Sequence, residues 1–532
     1  MPLTSEIRNN IASIRDYLFG GGFPDPLSNA EQLSYLFYFN LMEYIDQNNI
    51  LIDRQYKSIF DGLWNVKNPL NSKDGSNKIP KKNFKWSIWK SMSGKELVSF
   101  VRDEVFSFHE EIASKSVNNF MHGARLAIDE PVVLHQVVNK IDELNLSKLD
   151  PDTKGDLFEF VLKQVKQAGE LGQFRTPRHI IDFITELVDP KIGETIYDPA
   201  SGTAGFLVSA YNYIRLKHSS KAGIIEVELD NRKIKRGIGD KLNRKEFTLL
   251  QNGTFFGNDV DGRMIRLASM NLTLRGLSHV EILKRNPLTQ TIDKQYKFEK
   301  KLPINGFDVI VANPPFSGKI DTSRIIDDVK ILNAKSTQVL FLKYIMNSLS
   351  ENGRTAVIVP DGILFGNSRS DKELRKQICE NFNLNSIISL PQGVFQPYAN
   401  VKTSILIFSK KNKTDYVKFI RVRNDGYKLD SNHETPIKEN DLPKAMEIFK
   451  NDNLINIWHN RKKEENWDKL YCFSSLETIR ENNYTLSDNI YFPSHNKKIE
   501  KIDLKETLKE IDEIESLISK NLEILKKDLN DF

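Results

Sequence analysis

From about residue 195 the chain alternates short apolar runs with stretches of helical periodicity, and no other feature restricts its fold as much. The runs are TIYD near 195, TFFG near 254, FDVIVA near 307, TAVIVP at 355–360, SIISL at 386–390 and TSILIFSK at 403–410. Strands separated by helical segments pair side by side through crossovers, which gives parallel βαβ units. A run such as Val309-Ile310-Val311-Ala312, apolar at every position, belongs to a strand covered on both faces. The last two runs stand only about a dozen residues apart, too close for a crossover helix. They are expected as an antiparallel pair at one edge of a mostly parallel α/β sheet.

Open α/β sheets bind ligands outside the carboxyl ends of their strands, and three strand ends here carry chemistry. In DVIVANPPFSGK (308–319), Pro314 and Pro315 lack backbone N–H groups and force the chain out of the ladder directly after Asn313. IYDPASGTAGFLVSAYNYI (196–214) reads as strand, small-residue turn and helix. There Gly202 and Gly205 allow close approach of the backbone to a ligand, and Asp198 puts a carboxylate where a ligand amine could sit. FFGNDVDGRMIRLASMNLTLRG (255–276) repeats the design, with Asp259 just past the second strand. An acidic residue at that place takes ribose hydroxyls in dinucleotide folds. Asp198 and Asp259 are much further apart than the usual ~20 residues, so an insertion is needed, and the basic stretch DNRKIKRGIGDKLNRK (230–245) supplies it. That stretch is either a phosphate contact or simply a solvated face.

A nucleoside-bearing cofactor beside a planar amine would use all three ends. If the Asn313 side-chain oxygen and the Pro314 carbonyl both accept from an exocyclic NH₂, the nitrogen lone pair turns out of conjugation toward an electrophile. Phe316 would stack on the ring. A paired base cannot reach such a pocket and would have to be flipped out. The chemistry is then direct displacement at a cofactor methyl, and neither a metal nor a covalent nucleophile is required.

The bulk properties are compatible with this. At 532 residues two or three domains are expected. No apolar run approaches the ~18 residues of a membrane span, and the start MPLTSEIRNN is polar, so a cytoplasmic protein without membrane contact is expected. Cys379 and Cys472 are the only cysteines, which excludes a disulfide framework and a cysteine-based zinc site. The net charge of +5 from 76 basic and 71 acidic residues permits nucleic-acid binding without arguing for it.

With these motifs in hand, the chain resembles the S-adenosylmethionine-dependent amino-methyltransferases, and within them the modification subunits of type I restriction-modification systems. The similarity runs from the N-terminal region to about residue 470. GQFRTPR (172–178) looks like the segment closing over the methionine end of the cofactor, which assigns Gln173, Phe174, Thr176 and Pro177. DPASGTAGF (198–206) matches the cofactor loop and assigns Asp198, Ala200, Ser201, Gly202, Thr203, Gly205 and Phe206. GND (257–259) supplies the ribose-binding Asp259, and NPPF the catalytic Asn313, Pro314, Pro315 and Phe316. LPQGVFQPYANVKTSILIF (390–408) resembles the later target-base strand pair. In RNPL (285–288) the chain departs from the family, placing neutral Asn286 where an acidic residue often contacts the cofactor adenine. The resemblance implies a Rossmann-like methyltransferase sheet and N6-adenine methylation of DNA.

The expected organisation is an N-terminal helical domain over 1–150, a catalytic domain over 151–475 and a helical tail over 476–532. The helical domain shows in EQLSYLFYFNLMEYI (31–45), where Leu33, Leu36, Phe37 and Leu41 form one stripe; KNPLNSKDGSNKIPKKNFK (67–85) reads as a loop. In TPRHIIDFITELV (176–188), Thr176 stands in a cap position with Pro177 in the first helical turn. In the tail, Leu504, Leu508, Ile511, Ile518, Leu522, Leu525 and Leu529 follow steps of four and three around Glu515, a narrow seam for packing on its own domain or on a partner. Only 122 residues follow Lys410, too few for an independent base-reading domain. The resemblance therefore implies a separate specificity subunit, a second modification subunit beside it, and restriction subunits that can add to the complex. Three alternatives stay open: a cytosine-N4 methyltransferase, a protein-glutamine methyltransferase, and a non-catalytic scaffold of a defence complex.

Overall fold

The computed structural model describes residues 5–52, 55–72, 77–114, 120–166, 176–229, 232–277, 279–280, 282–292, 297, 302–397, 399–461, 467, 469–493, 515–516 and 518. The seam from Leu504 to Leu529 and the proposed cofactor residues Gln173 and Phe174 lie outside them, apart from Glu515 and Ile518.

The N-terminal part is built on helices α1 (Ser5–Gly20), α2 (Pro26–Ile52), α3 (Pro131–Glu143) and α4 (Pro151–Lys166). The stripe Leu33, Leu36, Phe37 and Leu41 of α2 is buried as its spacing requires. It meets an aromatic centre in which Phe84 and Phe108 stack at 4.2 Å between ring centroids. Leu157, Phe158, Val161 and Leu162 of α4 belong to this same core, so apolar packing carries it past residue 150. The stretch 67–85 is not one loop. Leu63–Asn65 and Lys78–Pro80 pair as a short antiparallel hairpin, because Trp64 and Ile79 each bury one side chain between exposed neighbours.

Nine strands form one sheet: β1 (Ile196–Asp198), β2 (Phe255–Asp259), β3 (Ile282–Lys284), β4 (Phe307–Ala312), β5 (Leu349–Pro360), β6 (Asn383–Ser389), β7 (Thr403–Ser409), β8 (Tyr416–Arg421) and β9 (Tyr471–Ser475). Their order is β9-β8-β6-β7-β5-β4-β1-β2-β3. The pairs β1–β2, β2–β3, β1–β4, β4–β5 and β6–β8 are parallel, while β7 runs against β5 and β6, and β9 against β8. Helices α5 (Arg178–Val188), α6 (Gly205–Lys217), α7 (Gly262–Leu274), α8 (Thr337–Ser348) and α9 (Arg369–Asn381) bury apolar side chains in the core of this sheet.

The α/β sheet is as expected, with one rearrangement. The pair β6–β7 lies inside the sheet, and the antiparallel strand at the edge is β9. The sheet continues through β8, whose sequence hides it: Lys418 interrupts the apolar run, yet its ammonium is buried and donates to the carbonyls of Ile448 and Phe449 at 2.9 and 2.8 Å. Residues 476–493 also pack on the sheet through Ile479, Leu486, Tyr491 and Phe492. The basic stretch 230–245 forms the second strand of a hairpin, Ile224–Leu229 with Arg232–Gly237, then enters a helix whose Asn243 and Glu246 cap one another reciprocally.

A buried ion cluster joins the two parts. Three acids of α4 each meet arginines from elsewhere. Asp152 holds Arg215 of α6 at 2.8 Å, Asp156 holds Arg236 of the hairpin through both oxygens, and Glu159 holds Arg178 of α5 at 2.7 Å and Arg275, just past α7, at 3.1 Å. Gly155 leaves the space: an added Cβ would stand 2.2 Å from the Arg275 guanidinium. Removing one partner of a buried pair strands the other charge, which costs about 3–5 kcal/mol, whereas exposed pairs contribute about 0–1. Asp156→Ala is thus expected to lower unfolding stability by about 3–5 kcal/mol. Glu447→Ala, which breaks an exposed pair with Lys444, should change it by less than about 0.5 kcal/mol. Denaturant titration of both variants measures the contrast.

Candidate active site at the carboxyl edge of the sheet

The three chemistry-bearing ends are neighbours, since β2, β1 and β4 are adjacent strands pointing the same way. After β1 the chain turns over Pro199 to Ala204 and enters α6 at Gly205. Asp198 is buried, and one carboxylate oxygen accepts from the Ala200 N–H at 3.0 Å. Asp259 ties the two turns together, accepting from the Gly202 N–H at 2.9 Å with one oxygen and from the Asp261 N–H at 2.9 Å with the other. Ser201 donates its N–H and hydroxyl to the Asn258 carbonyl at 3.0 and 3.2 Å. Gly202 has φ +49°, and a Cβ there would meet nothing within 4 Å, so the glycine serves the left-handed backbone rather than tight packing. At Gly257, by contrast, a Cβ would stand 2.9 Å from the Ile282 Cδ1 and 3.2 Å from the Ser201 Cβ, so any side chain there would press on the turn. Ala204, at φ +63°, holds a strained conformation at the helix start. Thr203 accepts at its carbonyl from Asn271, and Phe206 is buried in the sheet core.

Burial raises the Asp198 carboxyl to about 8, and the nearby Asp259 adds to the rise; burial also raises Asp259. Two acids held without full compensation favour a ligand that brings a cation or hydroxyl donors.

Asn313 follows β4. Its Nδ2 donates to the Thr176 hydroxyl at 2.9 Å, and its buried Oδ1 has no hydrogen-bond partner. The donor end of the amide is thus occupied while the acceptor end remains, at the expense of an unsatisfied oxygen. Thr176 does not cap α5. That helix starts at Arg178, because extended Pro177 supplies its carbonyl to the N–H groups of Ile180 and Ile181, and this leaves the Thr176 hydroxyl for Asn313. Phe316 is buried and meets Phe395 edge-on, 5.3 Å between centroids. Asn286 is half-buried and its Oδ1 accepts from the Leu288 N–H at 3.0 Å, a local turn that already uses the oxygen considered for adenine.

Three features escape the sequence. Beneath the turn after β1, Asn258 donates to the Pro199 carbonyl at 2.8 Å and accepts from the Tyr197 hydroxyl, which lies 3.0 Å from that of Tyr344; Arg285 donates to Tyr344 at 3.0 Å. The Thr176 to Asn313 bond spans 137 residues. A buried group of His179, Asp425 and His433 stands beside the start of α5, again from residues far apart in the chain.

A profile of the N-6 DNA methylase family matches residues 149–500. The chain belongs to this family. Among curated relatives, the methylase subunit of the type I restriction enzyme EcoEI from Escherichia coli is 30% identical over 355 residues, covering 64% of this chain and 66% of that protein. The EcoKI methylase subunit of Escherichia coli strain K12 is 29% identical over 340 residues, 62% of this chain and 58% of that protein. The chain thus spans somewhat less than two thirds of these relatives. Among solved structures, one chain from work on assembly and conformational transition of the type I R-M system superposes with a TM-score of 0.67 at 22% identity, covering 99% of both chains. The type I restriction-modification methyltransferase subunit of Streptococcus thermophilus gives 0.59 at 18% identity, covering 91% of this chain and 98% of that one. At these identities the superpositions establish the fold.

In this chain, Asp198 sets a pH dependence in the absence of ligand. The unfolded carboxyl titrates near ~3.9 and the folded one at about 8. Between those values the native state binds the extra proton, so the contribution of Asp198 to stability is lost as pH rises, at up to about 1.4 kcal/mol per pH unit. Asp198→Asn should remove that slope and be the more stable protein at pH ~8. Urea unfolding of both proteins at mildly acidic and mildly basic pH reads the difference.

Proposed function

We propose that the chain transfers a methyl group from S-adenosylmethionine to the N6 amine of a flipped-out adenine in double-stranded DNA. It would act as the modification subunit of a type I restriction-modification complex in which a separate specificity subunit reads the sequence. A second modification subunit completes the methylating assembly, and restriction subunits can join it. In this reading the helical residues up to about 150 and the tail beyond about 475 serve assembly.

The observation that carries the proposal is the orientation of Asn313. With Nδ2 held by Thr176, its unbonded Oδ1 is available to accept one N–H of an exocyclic amine, and the Pro314 carbonyl is assigned the other. Two accepted hydrogen bonds localise the lone pair on nitrogen, which is the state that attacks a carbon electrophile. Bound S-adenosylmethionine would supply that electrophile as a methyl on a sulfonium. Asp259 fits ribose hydroxyls, because its backbone hydrogen bonds fix its orientation beside the glycine turn. Asp198, raised by burial, fits the ligand's ammonium. Ala200, Ser201, Gly202, Thr203 and Gly205 form the cradle, with Gln173, Phe174 and Pro177 assigned to its methionine side. Phe316 stacks on the flipped base. Pro315 stiffens the turn that presents it.

DNA would lie along the same edge. Arg423 and Lys469 line a cavity of about 320 Å³ past the end of β8, on the side where β4 also ends, and provide cations for backbone phosphates. Among the described residues no helix is long and apolar enough to cross a membrane.

Labelled methyl transfer to DNA, by the chain alone and with its co-purified partner, followed by nucleoside analysis, tests the reading. N6-methyladenine formed only with the partner is the expected result; N4-methylcytosine or methylglutamine would redirect it, and no transfer would favour a scaffold. Asn313→Ala should lower the rate by about 10²–10³-fold, the usual cost of removing one aligned transition-state hydrogen bond, with cofactor affinity unchanged. Thr176→Val should show a smaller loss in the same step. Full activity of Asn313→Ala would refute the mechanism.

A further inference from the structure

His179, in the first turn of α5, meets a short hairpin that follows β8, made of Asp425–Tyr427 and Pro436–Asn440. The contact bridges 246 residues of sequence. His179 Nε2 lies 2.8 Å from an Asp425 carboxylate oxygen, and His433 Nε2 lies 2.9 Å from the same oxygen. All three side chains are at least 95% buried, and one donor atom from each falls within 4.8 Å of the others. The His179 ring stacks on Tyr427 at 4.6 Å, so packing fixes the orientation of the imidazole.

A carboxylate shut away from water needs a positive partner. Two neutral imidazoles can hydrogen-bond that charge without cancelling it. Either a proton on one ring or a bound cation completes the balance. Two imidazole nitrogens and one carboxylate oxygen suit zinc-type ions, whereas calcium and magnesium take oxygen ligands. The hairpin supplies a reason to be fastened. Its paired registers, Asp425 with Asn440 and Tyr427 with Pro436, are broken by an irregularity, and a two-stranded ribbon is marginal by itself.

We propose that His179, Asp425 and His433 bind a divalent transition metal of the zinc type through two Nε2 atoms and one carboxylate oxygen. The ion fastens the hairpin to the start of α5. Three protein donors leave the fourth tetrahedral position for one further ligand, such as an enclosed water. The ion takes no part in methyl transfer, and the proposal stands whether or not the methylation reading does.

The test uses the full chain, with its partner where one co-purifies, stripped with EDTA and then supplied with zinc, magnesium or cobalt. About one equivalent of zinc should be retained after dialysis, the melting temperature should rise with zinc and not with magnesium, and cobalt should give the visible absorption of a four-coordinate site. Asp425→Asn and His433→Gln should each weaken zinc at least about tenfold. Should the variants not fold, the wild-type comparison of zinc, magnesium and EDTA decides alone. Substoichiometric zinc with no change in melting would overturn the proposal and leave a hydrogen-bonded clamp. Zinc bound equally well by both folded variants would overturn it too, by placing the ion elsewhere.

Discussion

Arg275 holds its guanidinium where water does not reach, 2% exposed, and that charge is tolerable only with Glu159 and Asp156 opposite it. Much of the arrangement depends on this requirement. It fixes where α4 lies, because the acids must face Arg275, Arg236, Arg215 and Arg178 at once, and only a glycine at 155 lets the helix come close enough. Buried ion pairs add little net stability once desolvation is counted. What this cluster supplies is position. Glu159 reaches Arg178 at the start of α5, two residues beyond Thr176, so the same carboxylate that satisfies Arg275 helps hold the hydroxyl that turns the Asn313 amide. The N-terminal helices reach Asn313 through that chain of contacts.

At the glycine turn after β1 the electrostatics run the other way. Asp198 and Asp259 receive backbone N–H groups but no buried arginine among their described hydrogen bonds and ion pairs. A site that neutralised its acids internally would have less to offer a cationic or hydroxyl-bearing ligand. The rigid layer of Tyr197, Asn258, Tyr344 and Arg285 beneath keeps the turn in shape while the acids stay uncompensated. Stability is given up at the two acids and recovered in the layer beneath them.

Much of this was legible in the sequence, and the limits have physical causes. The strands β1, β2, β4, β5, β6 and β7 announce themselves as apolar runs, because burial on both faces demands it. The turn glycines and the Asn-Pro-Pro stop follow from backbone chemistry. β8 was hidden because Lys418 finds carbonyl acceptors inside the protein, a compensation that no local pattern reveals. β3 is as short as β1, but no small-residue turn follows it to mark where it ends. Thr176 looked like a helix cap because threonine before proline usually is one; its hydroxyl instead serves a residue more than a hundred positions away. The ion cluster and the His179 group are likewise assembled from distant segments, and their members look like ordinary surface charges until the fold collects them.

Helix α7 packs in two directions. Ala268 and Leu272 face the core of the sheet, while Met264, Leu267, Met270 and Leu274 enter the N-terminal core. One helix is therefore a party wall between two interiors. A fragment starting after the N-terminal helices would keep all nine strands of the large sheet yet present a greasy stripe to water along α7, with Arg275 stripped of its acids at one end. The half that holds the nine-stranded sheet is therefore not a module that can be cut out and carried elsewhere. Its inheritance, expression and unfolding should be shared with the helical part as a single unit.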